Sequence, residues 1–77
     1  MNRYRRKELD SIIKTLGALY YELEDLSSKE TDAYENLPES LQQAQKGEMI
    51  LEAADNINNA CEAIEEVITF IENAMEC

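Results

Sequence analysis

Carboxylates are the reactive side chains that recur most often in this sequence, and a cluster of them lies near its C-terminal end. Helical bundles can hold pairs of metal ions with inward-pointing glutamates and with histidines at Glu-x-x-His spacing. The chain contains no histidine, the clustered glutamates fall outside the apolar stripe of the second predicted helix, and no EF-hand spacing occurs. We therefore expect neither a metal site nor a cofactor. The clustered glutamates are Glu62, Glu65, Glu66, Glu72 and Glu76.

The two cysteines, Cys61 and Cys77, lack the spacing of a zinc site and do not form the framework of a disulfide-rich domain. Cys61 falls on an apolar stripe, where a thiol behaves as a small buried hydrophobe. Cys77 is the last residue. Because a nucleophilic thiol needs a neighbouring base and histidine is absent, we expect no catalytic cysteine and no enzymatic activity.

A cluster of aspartate and asparagine lies in the middle of the second predicted helix, between positions 55 and 59. These residue types disfavour helix because they compete for backbone hydrogen bonds. Two interpretations remain open: a hydrogen-bonding recognition surface, or a solvent-facing surface without a function. Neighbouring glutamates, and an exposed tyrosine of a type enriched in binding hot spots, extend the candidate surface. The candidate partner-binding residues are Tyr21, Asp55, Asn56, Asn58, Asn59, Glu62, Glu65 and Glu66.

A basic cluster lies at the N-terminus, where Arg3, Tyr4, Arg5 and Arg6 are candidates for holding an anion such as a nucleotide phosphate. Guanidinium groups bind phosphate with two parallel hydrogen bonds, and an aromatic ring can stack on a base. The alternative is a purely structural role in ion pairs, because an antiparallel second helix would bring its terminal glutamates beside this cluster.

The net charge of −10 is unevenly distributed, since no basic residue occurs between Gly47 and Cys77. An acidic surface repels nucleic-acid phosphates and attracts basic partners, although acidity also serves solubility alone. No apolar run approaches the ~18 residues of a membrane span, and no apolar signal region follows the basic N-terminus. We therefore expect a cytoplasmic protein that binds neither membranes nor nucleic acid directly.

The apolar residues repeat every seven positions in two long segments, which predicts two amphipathic helices over residues 3–35 and 48–76. Heptad position a holds Leu9, Leu16, Leu23, Ile50, Ile57, Ile64 and Ile71. Position d holds Ile12, Leu19, Leu26, Ala33, Ala53, Ala60, Val67 and Ala74. Position e holds Ile13, Tyr20, Tyr34, Ala54, Cys61, Ile68 and Met75.

Residues 36–47 separate the two helices and contain the only proline, Pro38. Because a residue before proline avoids helical geometry, the first helix should end here, with Asn36 as a left-handed terminal residue. Pro38 suits the start of a short helix, over about residues 38–43, that folds as a lid on the hairpin, and Gly47 then marks the start of the second helix. The chain should reverse at this lid.

An antiparallel pairing then places residues opposite one another when their numbers sum to about 83, a value estimated from the helix ends. Large residues of the first helix would meet small ones of the second, as close packing prefers. The predicted pairs are Leu23 with Ala60, Leu26 with Ile57, and Leu16 with Val67.

The apolar stripes are three heptad positions wide, which exceeds what a two-helix seam buries. We therefore predict an all-α single domain, residues 1–77, in which two hairpins form a four-helix bundle, and a hairpin docked on a target protein is the alternative. A lone hairpin would leave part of position e exposed. The candidate self-association residues are Ile13, Tyr20, Cys61 and Ile68.

Several short motifs resemble small acidic proteins of phages and prophages of Gram-positive bacteria. The motifs are Asn36-Leu37-Pro38-Glu39-Ser40-Leu41-Gln42, Lys46-Gly47-Glu48-Met49, Ala53-Ala54-Asp55-Asn56-Ile57 and Ala63-Ile64-Glu65-Glu66. The chain departs from this pattern at Asn58, Asn59 and Cys61. The resemblance implies a bacterial host cell and a protein that binds a host protein, including components of antiviral defence. It brings no catalytic residues.

Taken together, these observations favour a non-enzymatic phage-encoded protein that inhibits a host protein or antiviral defence complex. Its acidic surface would occupy a basic groove, with some mimicry of nucleic acid. Two alternatives remain open. One is a self-assembling structural or accessory phage protein, and the other is a binder that sequesters a nucleotide signal at the N-terminal basic cluster.

Overall fold

A computed structural model describes all residues from Met1 to Cys77 and contains three helices. They are α1 (Arg3–Glu35), α2 (Glu39–Gln42) and α3 (Gln45–Glu76). The two long helices pack against each other and α2 packs against α3, so the Cα atoms span 58 × 15 × 11 Å. The predicted all-α hairpin with a short helical linker is confirmed.

The first helix begins at a side-chain cap and ends without a left-handed residue. Asn2 Oδ1 accepts a hydrogen bond from the backbone N–H of Arg5 at 2.9 Å, which satisfies one free donor of the first turn. At the other end, Asn36 has φ −84° and ψ −5°, so the predicted left-handed conformation is wrong. Its N–H instead donates to the Asp32 carbonyl at 3.0 Å, the N–H of Leu37 donates to the Tyr34 carbonyl at 3.1 Å, and the extended Pro38 stops the helix.

The linker forms a one-turn lid whose backbone lies against α3. The side-chain amide of Gln42 donates to the Tyr34 carbonyl at 3.1 Å and so ties α2 to the end of α1. Gly47 is buried, and a Cβ atom there would lie within 2.8 Å of the Gln42 Cα atom. Helix α3 already begins at Gln45, so Gly47 does not mark its start as predicted. Gly47 instead allows the lid to approach.

The seam between α1 and α3 uses heptad positions a and e. The Cys61 thiol lies 3.8 Å from the Tyr20 carbonyl, and the buried Ser27 hydroxyl donates to Asn58 Oδ1 at 2.7 Å. These pairs have number sums of 81 and 85, close to the predicted 83. Each predicted partner pair includes a d residue that remains exposed, Leu26, Ala60 or Val67, so these pairs are not buried in the seam.

Candidate functional site

Two chemically different faces flank the seam. In an antiparallel helix pair, residues at the same heptad position of the two helices lie on the same side of the seam. Positions b and f therefore share one side, where Asn58 meets Ser27 and where Glu65 lies close to Tyr20. We call this side the acidic face. It includes Asp10, Gly17, Tyr21, Glu24, Asp55, Asn58, Glu62, Glu65 and Glu72, and near the N-terminus of α1 it also carries the basic residues Arg3, Lys7 and Lys14.

The opposite side carries position d of both helices and position g of α3. We call it the apolar face. Its apolar members are Ile12, Leu19, Leu26, Ala33, Met49, Ala53, Ala60, Ala63, Val67, Phe70 and Ala74, and Arg5 and Asn56 are polar residues on the same side. Every acidic residue of α3 occupies position b, c or f, so α3 contributes no carboxylate to the apolar face. The carboxylates of α3 thus lie away from the apolar face, whereas α1 places Glu8 and Glu22, at position g, at its edge.

An open groove crosses the acidic face at the level of two neighbouring tyrosines. It is lined by Gly17, Tyr20, Tyr21, Glu65 and Ile68. The missing side chain of Gly17 leaves space between the helices, since no other atom lies within 4 Å of a Cβ placed there. The two tyrosine rings meet edge to face with centroids 5.6 Å apart, and Tyr21 is 69% exposed. The groove therefore offers aromatic surface beside a carboxylate.

Carboxylates hold the groups next to the seam in their neutral forms. Hydrogen bonding to Glu65, desolvation, and the charges of Glu65 and Glu24 raise the pKa of Tyr20 well above its usual value. Burial, then the same two carboxylates, raise the pKa of the Cys61 thiol. Both groups stay protonated near neutral pH, so Cys61 is a packing residue and the excess negative charge resides on the glutamates.

The acidic residues of α3 have no cation to neutralise them within the chain. The two ion pairs of the structure, Lys14 with Asp10 at 3.2 Å and Lys29 with Asp25 at 3.0 Å, both lie within α1 and are exposed. Exposed pairs at this spacing contribute only about 0.3–0.5 kcal/mol each. The negative charge of α3 is therefore left for solvent ions or for a partner.

The predicted partner-binding residues are all exposed, and the structure brings only some of them together. Asn59 and Glu66 lie on the back of α3, at position c, and Asn56 lies at position g beside the apolar face. The other five share the acidic face: Tyr21, Asp55, Asn58, Glu62 and Glu65.

Of the four N-terminal candidates for anion binding, only Arg3 and Arg6, which are three residues apart, share a side of α1. Arg3, Tyr4, Arg5 and Arg6 are consecutive residues of the first turn of α1, and neighbours in a helix point about 100° apart. Their side chains are exposed, and none lines a groove. The cluster also forms no ion pair with the glutamates at the end of α3, because both ion pairs lie within α1.

The lone hairpin leaves position e partly exposed at three of the four candidate self-association residues. Cys61 is buried, and Ile13, Tyr20 and Ile68 are half-buried in the seam. Position d is the one that the hairpin leaves open. The most exposed large side chain of the apolar face is Phe70, at 65%, on position g.

Sequence reasoning missed Glu24 and Gly17 as parts of the acidic face. Each lies one helical turn from Tyr20, since Glu24 follows it by four residues and Gly17 precedes it by three. That spacing is a usable signal once Tyr20 is known to line the seam.

No three residues among cysteine, aspartate and glutamate lie close enough together to hold a metal ion. Neither long helix contains a stretch apolar enough to cross a bilayer. No protein-family model, curated protein or solved structure matches the chain.

Proposed function

We propose that the protein is a non-enzymatic binding protein whose acidic face docks on a basic surface of another protein. The observation that carries this proposal is a set of carboxylates of α3 that form no ion pair and lie on the same side as the groove at Tyr20 and Tyr21. A charge that serves solubility alone would not require carboxylates beside an aromatic groove.

The two tyrosines supply the anchor of this interface. Tyr21 presents an exposed ring, and tyrosine is among the residue types that dominate binding energy when a partner covers them. The ring face also attracts a lysine or arginine cation. Glu65 stands beside the same groove and can pair with that cation once solvent is excluded.

The surrounding carboxylates act mainly on the rate of encounter. Negative charge on one face steers a basic partner into the correct orientation and weakens with added salt. The same charge repels free nucleic acid, so a protein surface that normally binds phosphates is the natural complement.

Occupation of such a surface would inhibit the partner by excluding its nucleic acid. The resemblance of the sequence motifs to phage proteins favours a partner in the bacterial host, either a host protein or a component of antiviral defence. The acidic face then acts as a loose mimic of a phosphate backbone.

The test is affinity capture from a lysate of a Gram-positive bacterium with three forms of the protein. The wild type should retain a basic protein at low salt and release it at high salt or when DNA or RNA is added. A Glu62→Gln/Glu65→Gln variant should lose this partner, because both changes lie on the acidic face.

The matched control is Glu8→Gln/Glu22→Gln, which removes the same charge from position g of α1. It should keep the partner. Equal loss in both variants would mean that only net charge matters, and absence of any salt-sensitive partner would contradict the proposal.

A further inference from the structure

We propose that the apolar face binds a second copy of the chain, giving a four-helix bundle with the two acidic faces on its outside. This inference concerns the opposite side of the hairpin from the proposed partner site and does not depend on it. It also replaces position e with position d as the self-association surface.

The solvent-exposed area of the hairpin supports its association with a second copy of the chain. The chain exposes 5826 Å² at a mass of 8.8 kDa. A compact monomer of that mass exposes about 4,800 Å², so roughly 1,000 Å² is in excess. A standard specific interface buries about 800 Å² per partner. The excess is therefore slightly larger than the area that a standard dimer interface removes from each copy.

The shape of the chain leads to the same conclusion. Its radius of gyration is 17.5 Å, whereas a compact domain of this length has about 11–12 Å. No residue with a large side chain is fully buried, so the hairpin alone has very little core. Pairing two hairpins side by side thickens the particle and supplies that core.

A second copy fits this face in size and in charge. In α1 the d positions are mostly large, with Ile12, Leu19 and Leu26, whereas those of α3 are mostly alanine. A two-fold interface lets the large row of each copy pack on the small row of the other. Each copy carries a charge of −10, and the apolar face is the side to which α3 contributes no carboxylate, with Glu8 and Glu22 of α1 at its edge.

The arrangement has a functional consequence. Burial of the d rows leaves the acidic face of each copy exposed on opposite sides of the bundle. The dimer thus presents two equivalent acidic surfaces and can bind two basic sites on one assembly, with the gain in avidity that such linkage gives.

Sedimentation velocity of the full chain at micromolar concentration tests the proposal. The wild type should sediment at twice the chain mass of 8.8 kDa. Leu19→Glu, which puts a charge on the apolar face, should weaken the dimer at least tenfold. Leu51→Glu is the matched control, because Leu51 lies at position b and is 39% exposed against 44% for Leu19. It should remain dimeric.

A second measurement covers the case in which Leu19→Glu fails to fold. The thermal unfolding midpoint of the wild type should rise with protein concentration, as expected when folding is coupled to association. A wild type that stays monomeric, or a midpoint independent of concentration, would overturn the proposal. Equal dissociation of the Leu19→Glu and Leu51→Glu dimers would also overturn it. A monomeric wild type that co-sediments with phosphatidylcholine vesicles would do the same and would assign the apolar face to lipid binding.

Discussion

The hydroxyl of Ser27 donates a 2.7 Å hydrogen bond to Oδ1 of Asn58 and thereby links the buried seam to the acidic face. Ser27 is the only buried polar side chain of the protein, and its other acceptor, the Ala54 carbonyl, lies 3.5 Å away. Asn58 thus has a structural role that Asn56 and Asn59, which make no such bond, do not share.

The three asparagines should therefore respond differently to alanine. Asn56→Ala and Asn59→Ala should each raise the free energy of unfolding by about 0.5 kcal/mol, because alanine favours helix. Asn58→Ala should lower it, since the loss of a partner for a buried hydroxyl costs about 1 kcal/mol or more. Urea denaturation of the three variants measures these differences.

A double-mutant cycle provides the control. In a Ser27→Ala background no hydroxyl is left to satisfy, so Asn58→Ala should become stabilising like the other two. If Asn58→Ala is as stabilising as Asn59→Ala in the wild-type background, the hydrogen bond contributes nothing.

The two glycines form a second matched pair. A Cβ atom at Gly17 meets nothing within 4 Å, so Gly17→Ala should stabilise the helix by about 1 kcal/mol. A Cβ atom at Gly47 would overlap the backbone of Gln42, so Gly47→Ala should displace the lid and cost about 1–3 kcal/mol. Thermal or chemical denaturation gives both values, and a stabilising Gly47→Ala would mean that the lid is not packed as described.

The heptads and Pro38 were sufficient to predict two long helices, their antiparallel pairing and its approximate register. They did not determine which two of three apolar rows form the seam, because positions a, d and e are all apolar in both helices. The choice depends on close approach: small residues of α3, Ala54 and Cys61, lie opposite Ser27 and Tyr20 of α1. That fit is a property of the pair and does not appear in either helix alone.

The acidic face was predictable only in part for the same reason. The exposure of Tyr21 and Glu65 followed from their positions outside the stripe of each helix. The groove that joins them, with Glu24 across from Glu65, exists only after the b rows of two helices are brought to one side of the seam.

The raised pKa of Tyr20 and that of Cys61 predict a loss of stability in alkali. Both groups are held neutral in the folded chain, whereas in the unfolded chain they ionise at their ordinary pKa values of 10.0 and 9.0. Below about pH 9 these two groups make their full contribution to the free energy of unfolding. That contribution falls as the pH rises further, because the unfolded chain releases these protons at lower pH than the folded chain does. The free energy of unfolding should therefore decline from about pH 9 upward.

Tyr20→Phe should reduce this alkaline decline, because it removes one of the two groups. Tyr21→Phe serves as the control, since it removes a neighbouring phenol that is exposed, and it should leave the decline as in the wild type. An identical pH profile in Tyr20→Phe and wild type would show that the carboxylates do not act on the Tyr20 phenol.

Site-specific photo-crosslinking tests the central claim, that the hairpin has two faces with different partners, most directly. A benzophenone amino acid would replace Tyr21 on the acidic face or Phe70 on the apolar face, two aromatic residues of similar exposure at 69% and 65%. After irradiation in Gram-positive bacterial cells, position 21 should crosslink to a basic protein and position 70 to a second copy of the chain. Crosslinks from position 70 to other proteins, with none from position 21, would contradict the account.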